Sequence, residues 1–354
     1  MADQSSAIRI LVFRFSALGD VALTVPVIRS LVQQYKNVEV VLVSRPAFRD
    51  LFYGIPQIHF IPTDFNGSHK GFLGILKLFK ELRINGRFDY VLDLHGVLRS
   101  WILDGLFRLT GQRVYMIRKD RQLRKRAIKG PHSEPLPHAT KRYETVFQRV
   151  FPEFQMDGYT GIEPDPSVGE MVHSILCRYL VPGDKQWIGI APMAKHILKV
   201  WPMDHMKKLI RLLTTRQDLF VFLFGGADES PFLDDLADSS PQVINITSQL
   251  TLKEEIWLIS QLSFMITMDS ANMHMASLLS VPTLSIWGST HPDMGFGALN
   301  QPESHTIQVP RSELTCRPCT VYGKGTCHRG DFACMERITP EMVFERIKQL
   351  QLLQ

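Results

Sequence analysis

The chain has 354 residues, 45% apolar and 21% charged, with 40 Lys and Arg against 35 Asp and Glu. That composition excludes wholesale disorder, and the length exceeds the roughly 250–300 residues at which a single core stops growing, so two domains are expected. The longest apolar runs, such as 219–224, fall far short of the roughly 18–20 residues of a membrane-spanning helix, and the polar start at 1–7 has neither the basic nor the apolar part of a secretory signal, so a cytoplasmic protein with reduced cysteines is expected.

The predicted elements begin with an apolar strand at 8–15, interrupted only by Arg9 and Arg14. A short turn at 16–20 leads into a helix over 21–35, with Leu23, Val27, Ile28, Leu31 and Val32 at helical spacing. Strands at 38–44, 58–62, 90–94 and 114–117 alternate with helices around 74–82 and 100–109. Near-continuous apolar strands alternating with helices indicate a parallel sheet covered on both faces. Residues 118–129 hold seven basic residues and one acid, and 130–139 hold three prolines and two histidines. This region reads as an exposed loop or lid before a helix at 141–150. Glu163-Pro-Asp-Pro-Ser167 is the most linker-like stretch.

The alternation then resumes. Strands are expected at 187–191, 219–224, 243–246, 264–268 and 283–287. Helices are expected at 203–215, 229–238, 253–261 and 272–279, and a last one at 335–353. The economical reading is an α/β protein of two Rossmann-like, doubly wound domains, 1–165 and 166–354, facing across a cleft, with the final helix free to pack back on the first. Charge divides the same way: 24 basic and 16 acidic residues in 1–165, against 16 and 19 in 166–354.

In open α/β sheets, ligands bind beyond the carboxyl ends of the strands. After the first strand, Gly19 suits a tight turn and Asp20 either caps the following helix or acts as a general base. No GxGxxG fingerprint follows this strand and no Walker lysine motif occurs, so nicotinamide and P-loop chemistry are unsupported. Lys195 and Lys199 lie just before Trp201-Pro202, where a helix opens. They are either solvated or phosphate ligands, because the free amides and the dipole at a helix start already favour an anion. Asp269 or Ser270 can cap the next helix, and His274 one turn on is either a core residue or part of the site.

Four segments coincide in order and position: FSALGDVALTVPVIRSL at 15–31, YVLDLHGVLRS at 90–100, KVWP at 199–202, and MDSANMHMASLLSVPTLSIWG at 268–288 with STHP after it. Together they resemble glycosyltransferase family 9, the bacterial lipopolysaccharide heptosyltransferases, over about residues 8–350. The resemblance implies a GT-B fold and an inverting transfer of heptose from ADP-heptose to the lipopolysaccharide inner core of a Gram-negative bacterium. It implies Asp20 as the base on the acceptor hydroxyl. Lys199, with Lys195, Asp269, Ser270 and His274, would surround the donor diphosphate, and Glu229 would meet the ribose. Ser16, Gly19, His95 and Arg99 would face the acceptor. Two positions depart from the pattern. Ala271 stands where the family usually has Gly, which would strain a backbone of positive φ, and His95 stands where many members have Gln.

No cofactor is required by this chemistry, although a divalent ion such as Mg²⁺ could assist. Cys316-x2-Cys319-x7-Cys327-x6-Cys334 has a spacing that allows a structural zinc site, with reduced packed thiols or a disulfide as the alternatives. Cys177 reads as a small buried residue. The basic run lacks interleaved aromatics, which argues against nucleic acid. Arg124 and Lys125 within it are expected to meet a phosphorylated lipid acceptor, bringing the protein to the inner leaflet as a peripheral partner. The competing functions are a nucleotide-sugar epimerase or hydrolase on the same fold and a non-catalytic nucleotide-sugar-binding relative.

Overall fold

The computed structural model describes residues 7–129, 134–158, 161–183 and 185–353. Residues 1–6 and 130–133, in the polar start and the proline-containing segment singled out in the sequence, lie outside that set. The chain forms two compact units. The first comprises Met1–Asp120 with His138–Glu163, and the second Arg121–Pro137 with Pro164–Gln354. The boundary expected at 165/166 falls at 163/164, and the basic segment groups with the second unit although the chain on either side of it belongs to the first.

The first unit holds a five-stranded sheet of β1 (Ile8–Phe13), β2 (Val38–Ser44), β3 (Ile58–Pro62), β4 (Tyr90–Asp93) and β5 (Arg113–Met116), in the order β3-β2-β1-β4-β5. Every pairing is parallel. The central strand β1 keeps Ile10 to Phe13 fully buried, as expected when helices cover both faces. On one face Leu11, Phe13, Val41, Val43 and Val91 pack with Ile75, Leu78 and Leu82 of the helix Gly71–Ile84 and with Leu103 and Phe107 of the helix Leu98–Leu109.

The second unit holds a six-stranded sheet of β6 (Gln186–Ala191), β7 (Leu219–Leu223), β8 (Val243–Asn245), β9 (Phe264–Met268), β10 (Thr283–Trp287) and β11 (Thr306–Gln308), in the order β11-β10-β9-β6-β7-β8. It too is parallel throughout. The strand β11 has no counterpart in the sequence reading, because three residues with one buried side chain leave no periodicity. Trp201 is fully buried in this unit's core, and its indole N–H donates to Ile338 O at 2.9 Å. Truncating such a side chain costs about 3–5 kcal/mol.

The single closing helix expected at 335–353 is two pieces, Ala333–Glu336 and Pro340–Gln349. Proline cannot continue a helix but suits its first turn, and Thr339 caps the second piece by accepting from Met342 N. That piece packs in its own unit, with Val343 and Ile347 in the core and Glu341 2.6 Å from Lys208 of the helix Met203–Leu213. The loop or lid expected at 118–140 contains a helix, Arg121–Lys129. Cys177 ends the helix Gly169–Cys177 and is exposed, against expectation, because it follows the last inward position, Leu176. Among the described residues no helix is long and apolar enough to cross a membrane.

Candidate active site

In the first unit the turn after β1 enters the helix Leu18–Ala22, and Asp20 lies inside its first turn. The N-cap is Ala17, without a side-chain cap, so the capping role considered for Asp20 does not apply. Its carboxylate instead meets Arg14 at the end of β1, Nη2 to Oδ2 at 2.6 Å. Arg14 is only 8% exposed, donates through Nη1 to Leu94 O at 2.8 Å and lies 5.7 Å from the Tyr143 ring centre. Burial pulls the Arg14 guanidinium down, but Asp20, Tyr143 and Asp93 together outweigh it and the pKa is raised above the usual arginine range. A guanidinium at this distance fixes a carboxylate and favours its charged form.

Gly19 is buried in the same turn, and Ser16 is half-buried before it. The loop after β4 comes close to them. Asp93 is fully buried and organises this loop, its carboxylate accepting from His95 N at 2.7 Å, Gly96 N at 2.9 Å and Ser100 Oγ at 2.7 Å. His95 stacks edge-on against Phe15 at 5.4 Å. Burial, then the charges of Arg14 and Lys119, push its imidazole down to about 3, so it is neutral at physiological pH. Arg99 lies over Phe65 at 4.9 Å, and Phe65 packs against Phe15 at 4.8 Å. Ser16, Gly19, Asp20, His95 and Arg99 are thus one neighbourhood. Arg14 and Asp93 were not singled out in the sequence, although an arginine inside an otherwise apolar strand was a visible signal.

In the second unit, Lys199 ends a short 3₁₀ turn, Ile197–Lys199, and its ammonium lies 2.7 Å from Asp269 Oδ2. Asp269 follows β9, is 8% exposed, and also accepts from Thr290 Oγ1 at 2.8 Å. Ser270 is the N-cap of the helix Ala271–Leu278 but makes no side-chain cap, and its hydroxyl meets Thr267 Oγ1 at 3.1 Å. The first amides of that helix therefore lack a side-chain cap close to a lysine, an arrangement suited to an anion. Ala271 is the first helical residue and has no positive φ, so the strain expected there does not arise. His274 is buried one turn further on, and Lys195 is exposed. Glu229 turns back on its own loop, accepting from Gly226 N at 2.7 Å. Thr290 is the member of this cluster that sequence reading did not single out.

The other predicted residues lie elsewhere. Arg124 and Lys125 belong to the second unit on the helix Arg121–Lys129. Arg124 is buried, donating to the Tyr322 hydroxyl and lying over the rings of Phe296 and Tyr322, whereas Arg121, Lys125 and Arg126 are exposed. The four clustered cysteines are free, and among the described residues no group of three or more His, Cys, Asp or Glu side chains is arranged to hold a metal ion. Burial first pushes the Cys319 thiol up to about 11 and that of Cys334 up to about 12. Arg317, between them in sequence, is 1% exposed and donates to the carbonyls of Gly288, Val309, Trp287 and Thr290.

Residues 75–326 match the model of glycosyltransferase family 9 (heptosyltransferase). The chain belongs to this family. The family 9 glycosyltransferase described here is 24% identical to lipooligosaccharide heptosyltransferase 2 of Haemophilus influenzae, over 96% of this chain and 99% of that one. Its fold resembles that of a family 9 glycosyltransferase from Veillonella parvula, with a TM-score of 0.78 at 19% identity over 100% of both chains. It also resembles ADP-heptose lps heptosyltransferase II of Escherichia coli, with a TM-score of 0.72 at 19% identity over 98% and 99% of the two chains. Two parallel α/β units, as in these structures, make this family 9 member a GT-B enzyme.

Proposed function

We propose that the chain transfers a heptose from ADP-heptose to the inner core of lipopolysaccharide, with inversion at the anomeric carbon. The observation that carries this reading is the Lys199–Asp269–Thr290 cluster beside an uncapped helix start in a family 9 glycosyltransferase. The names of similar proteins support the substrates: the Haemophilus relative is a lipooligosaccharide heptosyltransferase, and the Escherichia coli structure is an ADP-heptose enzyme.

The acceptor hydroxyl oxygen attacks the anomeric carbon, and its proton passes to the Asp20 carboxylate. The bond from the anomeric carbon to the diphosphate oxygen breaks, and ADP leaves with the electron pair. Lys199 and the amides at 271–273 stabilise the charge that develops on the leaving group. One base and no protein nucleophile suffice for a single inversion. A carboxylate paired with a guanidinium is a weak base for an alcohol, so proton transfer is late and concerted with cleavage. We infer that the enzyme acts at the cytoplasmic leaflet, where the exposed Arg121, Lys125 and Arg126 meet anionic lipid headgroups, each gaining about 1 kcal/mol.

The test is Asp20→Ala, assayed for transfer and for ADP binding. Transfer should fall by about 10²–10⁴-fold while ADP affinity stays within about twofold. Full transfer by this variant would remove Asp20 as the base.

A further inference from the structure

A turn at 320–324 lies against the stem of Lys199. Gly323 is buried at φ +77°, and a Cβ there would stand 2.6 Å from Lys199 Cγ and 2.9 Å from Cε, so only a bare backbone fits beside this lysine. The turn is fixed from within, since Thr320 Oγ1 accepts from Tyr322 N at 3.1 Å and from Gly323 N at 2.5 Å. It is also fixed from outside. The buried Arg124 donates to the Tyr322 hydroxyl and lies 5.7 Å and 5.6 Å from the ring centres of Tyr322 and Phe296. Lys324, next in the chain, is exposed.

We propose that this turn is a wall of the nucleoside-diphosphate site, in which Gly323 positions the Lys199 ammonium, Lys324 adds a further ammonium to the diphosphate, and Arg124 clamps the turn. The proposal rests on the reading of Lys199 as a donor ligand. Electrostatics agree with the geometry. His196 is held below the usual histidine range by burial and then by Lys199, Lys324 and Lys195, with Asp269 opposing them. Three lysines thus act on one small region whose identified acid, Asp269, is already paired with Lys199. A diphosphate supplies the charge such a region lacks.

The probe is ADP, titrated by calorimetry into the full chain. Lys324→Ala should weaken binding roughly five- to tenfold with an unchanged melting temperature, and Lys324→Arg should restore most of it. Gly323→Ala should raise the KM for the nucleotide-sugar donor more than it lowers kcat, because it displaces Lys199 without touching the ligand. If Gly323→Ala fails to fold, the exposed Lys324 decides alone. Wild-type ADP affinity in Lys324→Ala overturns the diphosphate role. Where Lys199→Ala loses binding and the turn variants do not, this inference fails by itself. Where Lys199→Ala also binds as wild type, the donor-site reading fails with it.

Discussion

Lys199 and Asp269 form an ion pair at 2.7 Å across 70 residues of sequence, joining the turn after β6 to the turn after β9. Both side chains are largely buried, at 14% and 9% exposure. Removing one partner leaves the other charge poorly solvated, so single and double variants should not add. Lys199→Ala is expected to cost at least tenfold in ADP affinity, about 1.4 kcal/mol, because it removes a cation and leaves Asp269 facing the diphosphate. Adding Asp269→Asn to Lys199→Ala should recover part of that loss. Calorimetric titration of the four proteins checks this, and strict additivity would refute the coupling.

Asp104 sets a pH dependence of stability. It is fully buried, and among the described residues neither of its carboxyl oxygens accepts a hydrogen bond. Burial, then the charge of Asp93 and a hydrogen bond that the protonated Asp104 donates to it, pushes it up to about 8, while Arg108 opposes the shift. An unfolded Asp titrates near about 3.9, so between the two values the native chain holds a proton that the unfolded chain has lost. Stability from this group is therefore complete below about pH 4 and is lost as pH rises through about 8, with a slope approaching about 1.4 kcal/mol per pH unit. Urea unfolding at pH 5 to 9 should show a flatter profile for Asp104→Asn.

His95 should be silent in the same range. A group pushed down to about 3 stays uncharged between pH 5 and 8, so no limb of the kcat profile belongs to it. His95→Gln, which keeps a neutral polar side chain, should leave the shape of that profile unchanged and shift only the KM for acceptor. A pH–rate profile that loses a limb in this variant would contradict the burial argument.

Gly74→Ala separates helix propensity from packing. Alanine is favoured over glycine inside a helix by about 1 kcal/mol. At Gly74, however, a Cβ would stand 2.2 Å from the backbone carbon of His69 and 2.6 Å from its oxygen. Backbone cannot swing away as a long side chain can, and overpacking costs about 1–3 kcal/mol. The net effect should be destabilising, read as a lower urea midpoint with an unchanged m-value.

The sheets were legible because helices cover both faces of their central strands, so a strand such as Val38–Ser44 reads as a nearly continuous apolar run, broken only by Glu39 before its closing serine. Asp20, Lys199 and Asp269 stood out individually because they follow strands, but their partners did not. Arg14 pairs with Asp20 within one turn, whereas Thr290 reaches Asp269 from a separate strand end. The helix Arg121–Lys129 was obscured by its own charge, since an apolar stripe was the signal sought and its buried positions are an arginine, Arg124, and a small alanine, Ala127. The hydrogen-bond partner of Arg124, Tyr322, lies 198 residues away, a contact no local pattern announces.

The second unit borrows the stretch 121–137 from the middle of the chain that builds the first. Pro137 O lies 2.4 Å from where a Cβ on Gly295 would stand, and Leu136 N donates to Asp293 O at 2.7 Å. Cutting the polypeptide at 163/164 would therefore not yield two self-sufficient pieces. A fragment starting at 164 would leave Tyr322 without the guanidinium that holds it, and the complementary fragment would carry a cationic helix whose Arg124 has lost Tyr322 and Phe296. During synthesis that helix must wait, tethered within a finished neighbour, until nearly two hundred further residues have emerged to receive it.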